Sequence, residues 1–294
     1  MLHSKLKNVH CVDTLVNNEK NAVCSYIISS EKVCIVDCGP TAAVDELIRS
    51  MEDLGIEKRE VEFVAITHVH LDHGGGVGSL LKHLKNARVL VHPAGFKHLI
   101  DPSKLWIAAK KVLGDLAEIY QAPEPCEKVR VMAIEDGQKI DLGDCTIRAI
   151  HTPGHAQHHA TFYLEDEKVM FTGDSAGMYY DGIVIPTTPP PFDFEKSLDS
   201  INKMMQLKPE ILAFTHFGFG SGNLLQLVYK KTIEWVRIAE EVVAENGDSN
   251  ELYQKVRERD SEFRKILDIF KDSYIARKSY MLGFEGLINY VKGG

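Results

Sequence analysis

A chain of 294 residues with 44% hydrophobic and 26% charged side chains has the composition of an ordinary soluble globule, long enough for one large domain or for a domain with an appendage. Its 42 acidic residues outnumber 34 basic ones for a net charge of −8; Lys230 to Gly294 holds 12 of each, so the deficit lies wholly in residues 1–229, a poor match for a polyphosphate backbone. No apolar run approaches the ~18 residues that would span a membrane, and Met1 to Lys7 lacks the apolar stretch of a signal peptide, so a cytoplasmic location without a membrane partner is expected.

Taken in chain order, apolar and β-branched runs predict strands near Val9–Val16, Ala22–Ser29 and Lys32–Asp37. A turn at Asp37-Cys38-Gly39-Pro40 and a helix over Thr41–Leu54 follow. Asp37 reads as a turn residue or as the orienting partner of a ligand rather than as a ligand. The run Val61 to Thr67 is a buried strand, and it leads straight into His68-Val69-His70-Leu71-Asp72-His73. Three histidines and an aspartate within six residues, in a chain with 13 histidines, form a metal-ligand pattern, because imidazole and carboxylate suit borderline ions such as Zn²⁺. His68 and His70, two apart in extended chain, point the same way. Asp72 and His73 follow in a turn and serve either that ion or a second one. Gly74, Gly75, Gly76 and Gly78 let the chain fold closely around this loop before a helix at Val77–Lys85.

Lys104 to Tyr120 carries Leu105, Ala109, Val112, Leu116 and Ile119 at helical steps and predicts one amphipathic helix, closed by Ala122-Pro123-Glu124-Pro125. It either packs on a sheet or lids a site, with Trp106 as an aromatic wall. Further strands are expected at 129–134, 145–150, 160–165 and 168–172, a helix near Asp193–Leu207, and a last strand into His216. Three of these ends carry chemistry: Thr152-Pro153-Gly154-His155, Thr172-Gly173-Asp174 and Thr215-His216. With the first motif, four strand ends bear a His or an Asp, and ligands on strand ends converge at one sheet edge on rigid supports. His151, His158 and His159 flank His155 and read as surface or orienting residues, His151 foremost among the latter. Tyr179, Tyr180 and the stiff segment Pro186–Pro191 follow Asp174; they either connect elements or wall the site, a tyrosine hydroxyl then facing an oxyanion.

These motifs together resemble the metallo-β-lactamase superfamily, over roughly Val9 to Gly220. The resemblance implies a mixed α/β chain, a four-layer αβ/βα sandwich of two mixed sheets flanked by helices. It implies that His68, His70 and His155 hold one metal, that Asp72, His73 and His216 hold a second, and that Asp174 bridges the two. The cofactors implied are two divalent ions, zinc by default, with iron or manganese as alternatives. The expected chemistry is hydrolysis of a small-molecule ester, thioester or lactone by a hydroxide bridging the metals, with Asp72 orienting it. The alternatives are an RNA- or DNA-processing nuclease of the same fold, for which no basic groove is visible, and a β-lactamase-type amide hydrolase.

Asn223 to Gly294 reads as helical, which divides the chain into a catalytic domain at 1–222 and a helical extension at 223–294. Gly247 fits a helix stop and Asp248 or Ser249 the next cap. The alternatives for the extension are a solvated charged face, a homodimer contact or, as in glyoxalase II, a grip on the substrate, here through Arg277 and Lys278. The chain departs from glyoxalase II after Asp174, where Ser175-Ala176-Gly177-Met178-Tyr179-Tyr180 replaces a Cys-Gly-rich segment. The six cysteines contain no CxxC pair and read as free, mostly buried thiols.

Overall fold

A computed structural model of the chain describes Leu6 and residues 8–293. The N-terminal stretch read above for a signal peptide therefore lies almost wholly outside the described residues. The first half supplies strands β1 (Val9–Asp13), β2 (Cys24–Ile28), β3 (Val33–Val36), β4 (Val61–Ala65), β5 (Arg88–Val91) and β6 (Val131–Ala133), which form one sheet in that spatial order. The second supplies β7 (Lys139–Asp141), β8 (Thr146–His151), β9 (Ala160–Leu164) and β10 (Val169–Gly173), then a separate hairpin of β11 (Met178–Tyr180) and β12 (Ile183–Ile185), then β13 (Ile211–Phe214) and β14 (Gly218–Ser221). Its large sheet runs β14-β13-β10-β9-β8-β7. Both large sheets are mixed. In the first, β1 to β3 pair antiparallel and β3 to β6 parallel. In the second, only β10 and β13 pair parallel.

Side-chain alternation builds the layers. Tyr26 and Ile28 of β2, Cys34 and Val36 of β3, and Phe162 and Phe171 across from them fill the core between the sheets. The intervening residues face outward and are buried too. Ile27, Ile35 and Val89 pack under helices α1 (Val44–Asp53) and, after the short α2 (Leu71–Gly74), α3 (Val77–His83). On the far side Met170, Leu212 and Phe214 meet Ile201 and Met204 of a later helix spanning Phe194–Gln206. Strands buried on both faces need continuous apolar sequence, which is why these runs read as strands with little polar alternation. The result is helix, sheet, sheet, helix, the expected four-layer sandwich.

One predicted helix is two. Lys104–Tyr120 divides into α5 (Ser103–Leu113), preceded by α4 (Phe96–Ile100), and α6 (Asp115–Tyr120). The break is Gly114, whose φ of 59° and ψ of −129° are open to glycine but costly for any residue with a Cβ. The expected helix near Asp193–Leu207 is α7 (Phe194–Gln206), capped by the Asp193 side chain, which accepts from Lys196 N–H. The C-terminal region is helical throughout: α8 (Leu224–Ala244), α9 (Ser249–Arg259), α10 (Ser261–Ile269) and α11 (Tyr274–Val291). Asp248, rather than Ser249, caps α9 by accepting from Asn250 and Glu251 N–H. These four helices share an aromatic core in which Trp235 stacks on Phe284 at 5.4 Å and meets Phe263 edge-on. The core also takes in Ile185 and Phe192, which tie the helices to the segment after Asp174. All six cysteines are free thiols, four of them buried, and no helix among the described residues is long and apolar enough to cross a membrane.

Candidate metal centre

Four strand ends reach one edge of the paired sheets. His68 follows β4, His155 lies in the turn after β8, Asp174 follows β10 and His216 follows β13. The short α2 carries Asp72 and His73 back toward the same point. All seven sequence-selected residues come together there, in three groups whose ligand atoms lie within 4.8 Å of one another: His68, His70 and His155; His68, His73 and Asp174; Asp72, His73 and His216.

The hydrogen bonds behind the cluster fix which ring nitrogen faces inward. His73 Nδ1–H donates to Asp37 Oδ2 at 2.8 Å, His216 Nδ1–H to the Ala22 carbonyl at 2.7 Å and His155 Nδ1–H to the Thr187 carbonyl at 3.1 Å. Each therefore presents the lone pair of Nε2 to the centre. Asp174 accepts these faces on two sides. Its Oδ1 lies 3.3 Å from His73 Nε2 and 3.5 Å from His216 Nε2, and its Oδ2 lies 3.3 Å from His155 Nε2. His73 Nε2 and Asp174 Oδ1 are buried without a hydrogen-bond partner. Two buried acceptors aimed at each other cost free energy unless a cation lies between them, either a proton on the basic His73 or a metal ion. Ligand atoms about 2.0–2.1 Å from a tetrahedral ion stand roughly 3.3 Å apart, so the spacing, the N/O donor set and the orphaned pair all fit divalent metal.

Burial, reinforced by the neighbouring imidazoles, holds His68 and His70 well below the usual imidazole range. Burial also lowers His155, against the pull of Asp174. His73 goes the other way. Burial would lower it, but the carboxylates of Asp174, Asp37 and Asp72 outweigh that effect and make it strongly basic. Burial likewise opposes ionisation of Asp174, and His155, His73 and His216 overcome it and hold its carboxyl well below the usual range.

Asp37 is the hub of the supporting shell. Fully buried, with φ at 54°, it accepts from Thr67 N–H at 2.8 Å, from the Thr67 and Thr215 hydroxyls and from His73. The expectation that Asp37 orients a ligand holds. His151 does not take the part expected of it: its Nε2 bonds the Ile134 carbonyl and its ring packs on His92, away from the cluster. His159 takes that part instead, accepting from Asp174 N–H at 3.1 Å while its other nitrogen meets Thr152 and Ser175 hydroxyls. The two threonines had a visible signal, since Thr67-His68 and Thr215-His216 repeat one dipeptide at two strand ends. The backbone carbonyls of Ala22 and Thr187 had none.

A cleft of about 330 Å³, partly open to solvent, has His70, Asp72, His155, Asp174 and His216 on its floor. Its walls come from α5 and α6, from the segment Pro186–Pro191, and from α8 and α11. Of the alternatives left open for the walls, three are not met in this cleft. Trp106 is not among the lining residues; its ring carries the Lys110 ammonium at 5.3 Å. Tyr179 stacks on Phe214 and Tyr180 packs on Phe270; both line a smaller adjoining pocket that also includes His216, and the tyrosines on the cleft itself are Tyr120 and Tyr280. Arg277 and Lys278 are exposed and off the wall, where Ser279, Tyr280 and Gly283 stand.

Comparison with known proteins agrees with this geometry. Residues 18–216 match the family model described as the metallo-beta-lactamase superfamily. A metallo-beta-lactamase fold-containing protein of Sulfurisphaera tokodaii is 36% identical over 207 residues, 68% of this chain and 75% of the relative. A thioesterase of Emericella nidulans is 34% identical over 156 residues, 51% of this chain but only 35% of the relative, and the other fungal relatives are likewise matched over less than half their length. Among solved structures, a metallo-beta-lactamase family protein from Thermus thermophilus superposes with a TM-score of 0.71 over 98% of this chain and 94% of the other at 20% identity, a likeness of fold that extends through the C-terminal helices.

Proposed function

Because the chain belongs to the metallo-β-lactamase superfamily, with the family model covering 18–216, we propose that it is a binuclear metal-dependent hydrolase of small-molecule esters, thioesters or lactones. The observation that carries this reading is the facing pair of orphaned acceptors, His73 Nε2 and Asp174 Oδ1, inside a ring of five further His and Asp side chains. In this reading His68, His70 and His155 hold one ion, Asp72, His73 and His216 hold the other, and Asp174 serves both. Zinc is the default, and iron or manganese would accept the same N/O donors. Bound, such ions supply Lewis acidity and a nucleophilic hydroxide near neutral pH.

The protein's own groups do the rest. Asp72 is the more accessible carboxylate of the set, its side chain 20% accessible against 8% for Asp174, and it opens onto the cleft 3.6 Å from His216 Nε2, placed to hold the proton of an attacking water. The Pro186–Pro191 wall and α11 restrict the approach of bulk water from one side. Two fungal relatives named as a thioesterase and an acyl-carrier-protein thioesterase favour a thioester among the candidate bonds.

The test is a hydrolysis screen over thioester, lactone, β-lactam and phosphoester substrates, with metal content measured on the same untagged sample. Two ions per chain with turnover of an acyl substrate supports the reading; a protein that stays free of metal after reconstitution, or turns over phosphoesters alone, overturns it.

Two further results are expected. Asp37→Asn keeps the shape and tolerates the left-handed backbone, but turns one of the two oxygens that accept from His73 and from Thr67 N–H into a donor and removes the charge; affinity for the ion at Asp72, His73 and His216 should fall about 10–100-fold, read by competition with a chelator. Acidification should remove the ions in order. Protons compete for the same lone pairs. The Asp72/His216 side is the more exposed, at 20% and 10% against 3% for His155, and includes the basic His73, whereas burial holds His68, His70 and His155 low. Metal content should pass through one ion per chain as pH falls; loss of both together would contradict this order.

A further inference from the structure

The helix α5 buries none of its residues, although it carries an amphipathic stripe. That stripe, Leu105, Ala108, Ala109 and Val112, continues through Leu113 into Leu116 of α6, at helical steps of three and four. All of these residues line the cleft over the candidate metal centre. Val112 stays 47% exposed there. An apolar stripe normally faces a protein core; this one faces a cavity whose opposite wall is also apolar, built from prolines 186 and 189–191, Trp235, Tyr280 and Leu282. The indole N–H of Trp235 is already taken by Asp260 at 3.1 Å, so that ring offers the cleft only carbon. Charge is scarce. Among the lining residues Lys104 is the one lysine or arginine, and the carboxylates are Asp72 and Asp174, both in the proposed ligand set.

We infer that the cleft binds the apolar acyl body of its substrate, so that the substrate class is a medium-chain acyl ester or thioester rather than a small polar or polyanionic one. This deepens the hydrolase reading and rests on it. Leu105 to Val112 spans about 10 Å of helix at 1.5 Å per residue, the length of roughly eight carbons at about 1.5 Å per bond with the zigzag allowed for. With the acyl carbon over the floor, the chain lies between the α5–α6 stripe and the proline wall. A water oxygen forms the new bond to the acyl carbon. The C–S or C–O bond breaks with its electron pair on the departing sulfur or oxygen, which takes up one proton, and the acid product releases the other. A polyphosphate carrier would meet one lysine on these walls, so such a leaving group lies outside the cleft.

The test uses p-nitrophenyl acetate, butyrate and octanoate with the metal-loaded full chain, and calorimetric titration with octanoate and acetate on the same sample. Each buried methylene should raise kcat/KM by about two- to fourfold, so octanoate ester should exceed acetate ester at least tenfold. Octanoate should bind measurably and acetate should not. Val112→Asp, at a half-exposed position where a charge costs the fold little, should cut the octanoate-to-acetate ratio at least fivefold and abolish octanoate binding with metal content unchanged. Hydrolysis that is flat or falls with chain length overturns the inference and leaves the hydrolase reading standing. Absence of hydrolysis of these esters and of every thioester and lactone in the screen above overturns that reading, and octanoate binding lost in Val112→Asp then still supports an acyl-binding cleft; no octanoate binding overturns it as well.

Discussion

Asp174→Ala should lose one ion or both and at least a thousandfold in kcat/KM with any substrate the wild-type protein hydrolyses, the largest single effect expected at the centre. The carboxylate faces His73 and His216 with one oxygen and His155 with the other, at 3.3 to 3.5 Å. In the proposed centre it is the one side chain serving both ions, so its removal takes a ligand from each and also the negative charge between two divalent cations. Ion-supplied acidity and polarisation account for several kcal/mol of barrier lowering, and about 4 kcal/mol is a thousandfold in rate. The fold should survive, because the backbone N–H of residue 174 keeps its bond to His159 Nε2 and the Thr187 hydroxyl keeps the 174 carbonyl. The check is metal content and kcat/KM on one preparation, beside a circular dichroism spectrum. Two ions and unchanged activity in Asp174→Ala would remove the bridging role. Asp174→Asn should retain more metal than the alanine variant, since it keeps one oxygen donor while losing the charge.

The candidate site was more legible in the sequence than the walls around it. His68, His70, Asp72 and His73 announce themselves because local geometry sets their convergence: a strand end, a short extended stretch carrying His68 and His70, and then a four-residue helix. His155, Asp174 and His216 are each unremarkable alone and became visible only because each follows a run of apolar β-formers. The layers were legible for the same reason, since strands buried on both faces leave unbroken apolar text. Several short elements were not, although β3, β6 and β13, equally short, were. β5, β7 and β14 span three or four residues, and β11 and β12 three each, too short for periodicity to register. The supporting shell was partly hidden. Asp37 sits in a turn signal, but nothing in the sequence says that its carboxylate reaches Thr67, His73 and Thr215 across two half-domains. His151 and His159 could not be ranked from spacing, because both sit near His155; the pairing of β8 with β9 puts His151 opposite Ala160 and leaves His159 beneath Asp174. The stripe over 104–120 was legible as a stripe, yet what it faces depends on Gly114 and on helices more than a hundred residues away.

Those distant helices yield the other large effect. Asp260→Ala should destabilise the protein by about 3–5 kcal/mol, since it strips one partner from a buried ion pair. Lys231 is 5% exposed on α8, and its ammonium meets Asp260 at 3.2 Å and the more accessible Glu262 at 2.6 Å. Asp260 also accepts from the backbone N–H groups of Glu262 and Phe263, capping α10, and from Trp235 Nε1. Alanine there leaves a buried lysine with one half-solvated partner, an uncapped helix and a buried indole N–H without an acceptor. The first consequence is the largest, because a buried ammonium left to the single, partly solvated Glu262 carboxylate costs more than a cap, worth about 1 kcal/mol, or one neutral hydrogen bond, worth about 0.5–1.5 kcal/mol. Thermal unfolding should drop by roughly 10 °C, taking about 2–4 °C per kcal/mol for a domain of this size class. The double variant Lys231→Met with Asp260→Ala should recover part of the loss, because it removes the stranded charge as well as its partner. Recovery would assign the effect to the ammonium; a double variant as unstable as the sum of the singles would assign it to the cap and the indole. Trp235 lines the cleft through the same ring that Asp260 anchors, so Asp260→Ala should also lower octanoate affinity at temperatures where the chain is still folded, linking the buried polar cluster of the helical region to the wall it holds in place.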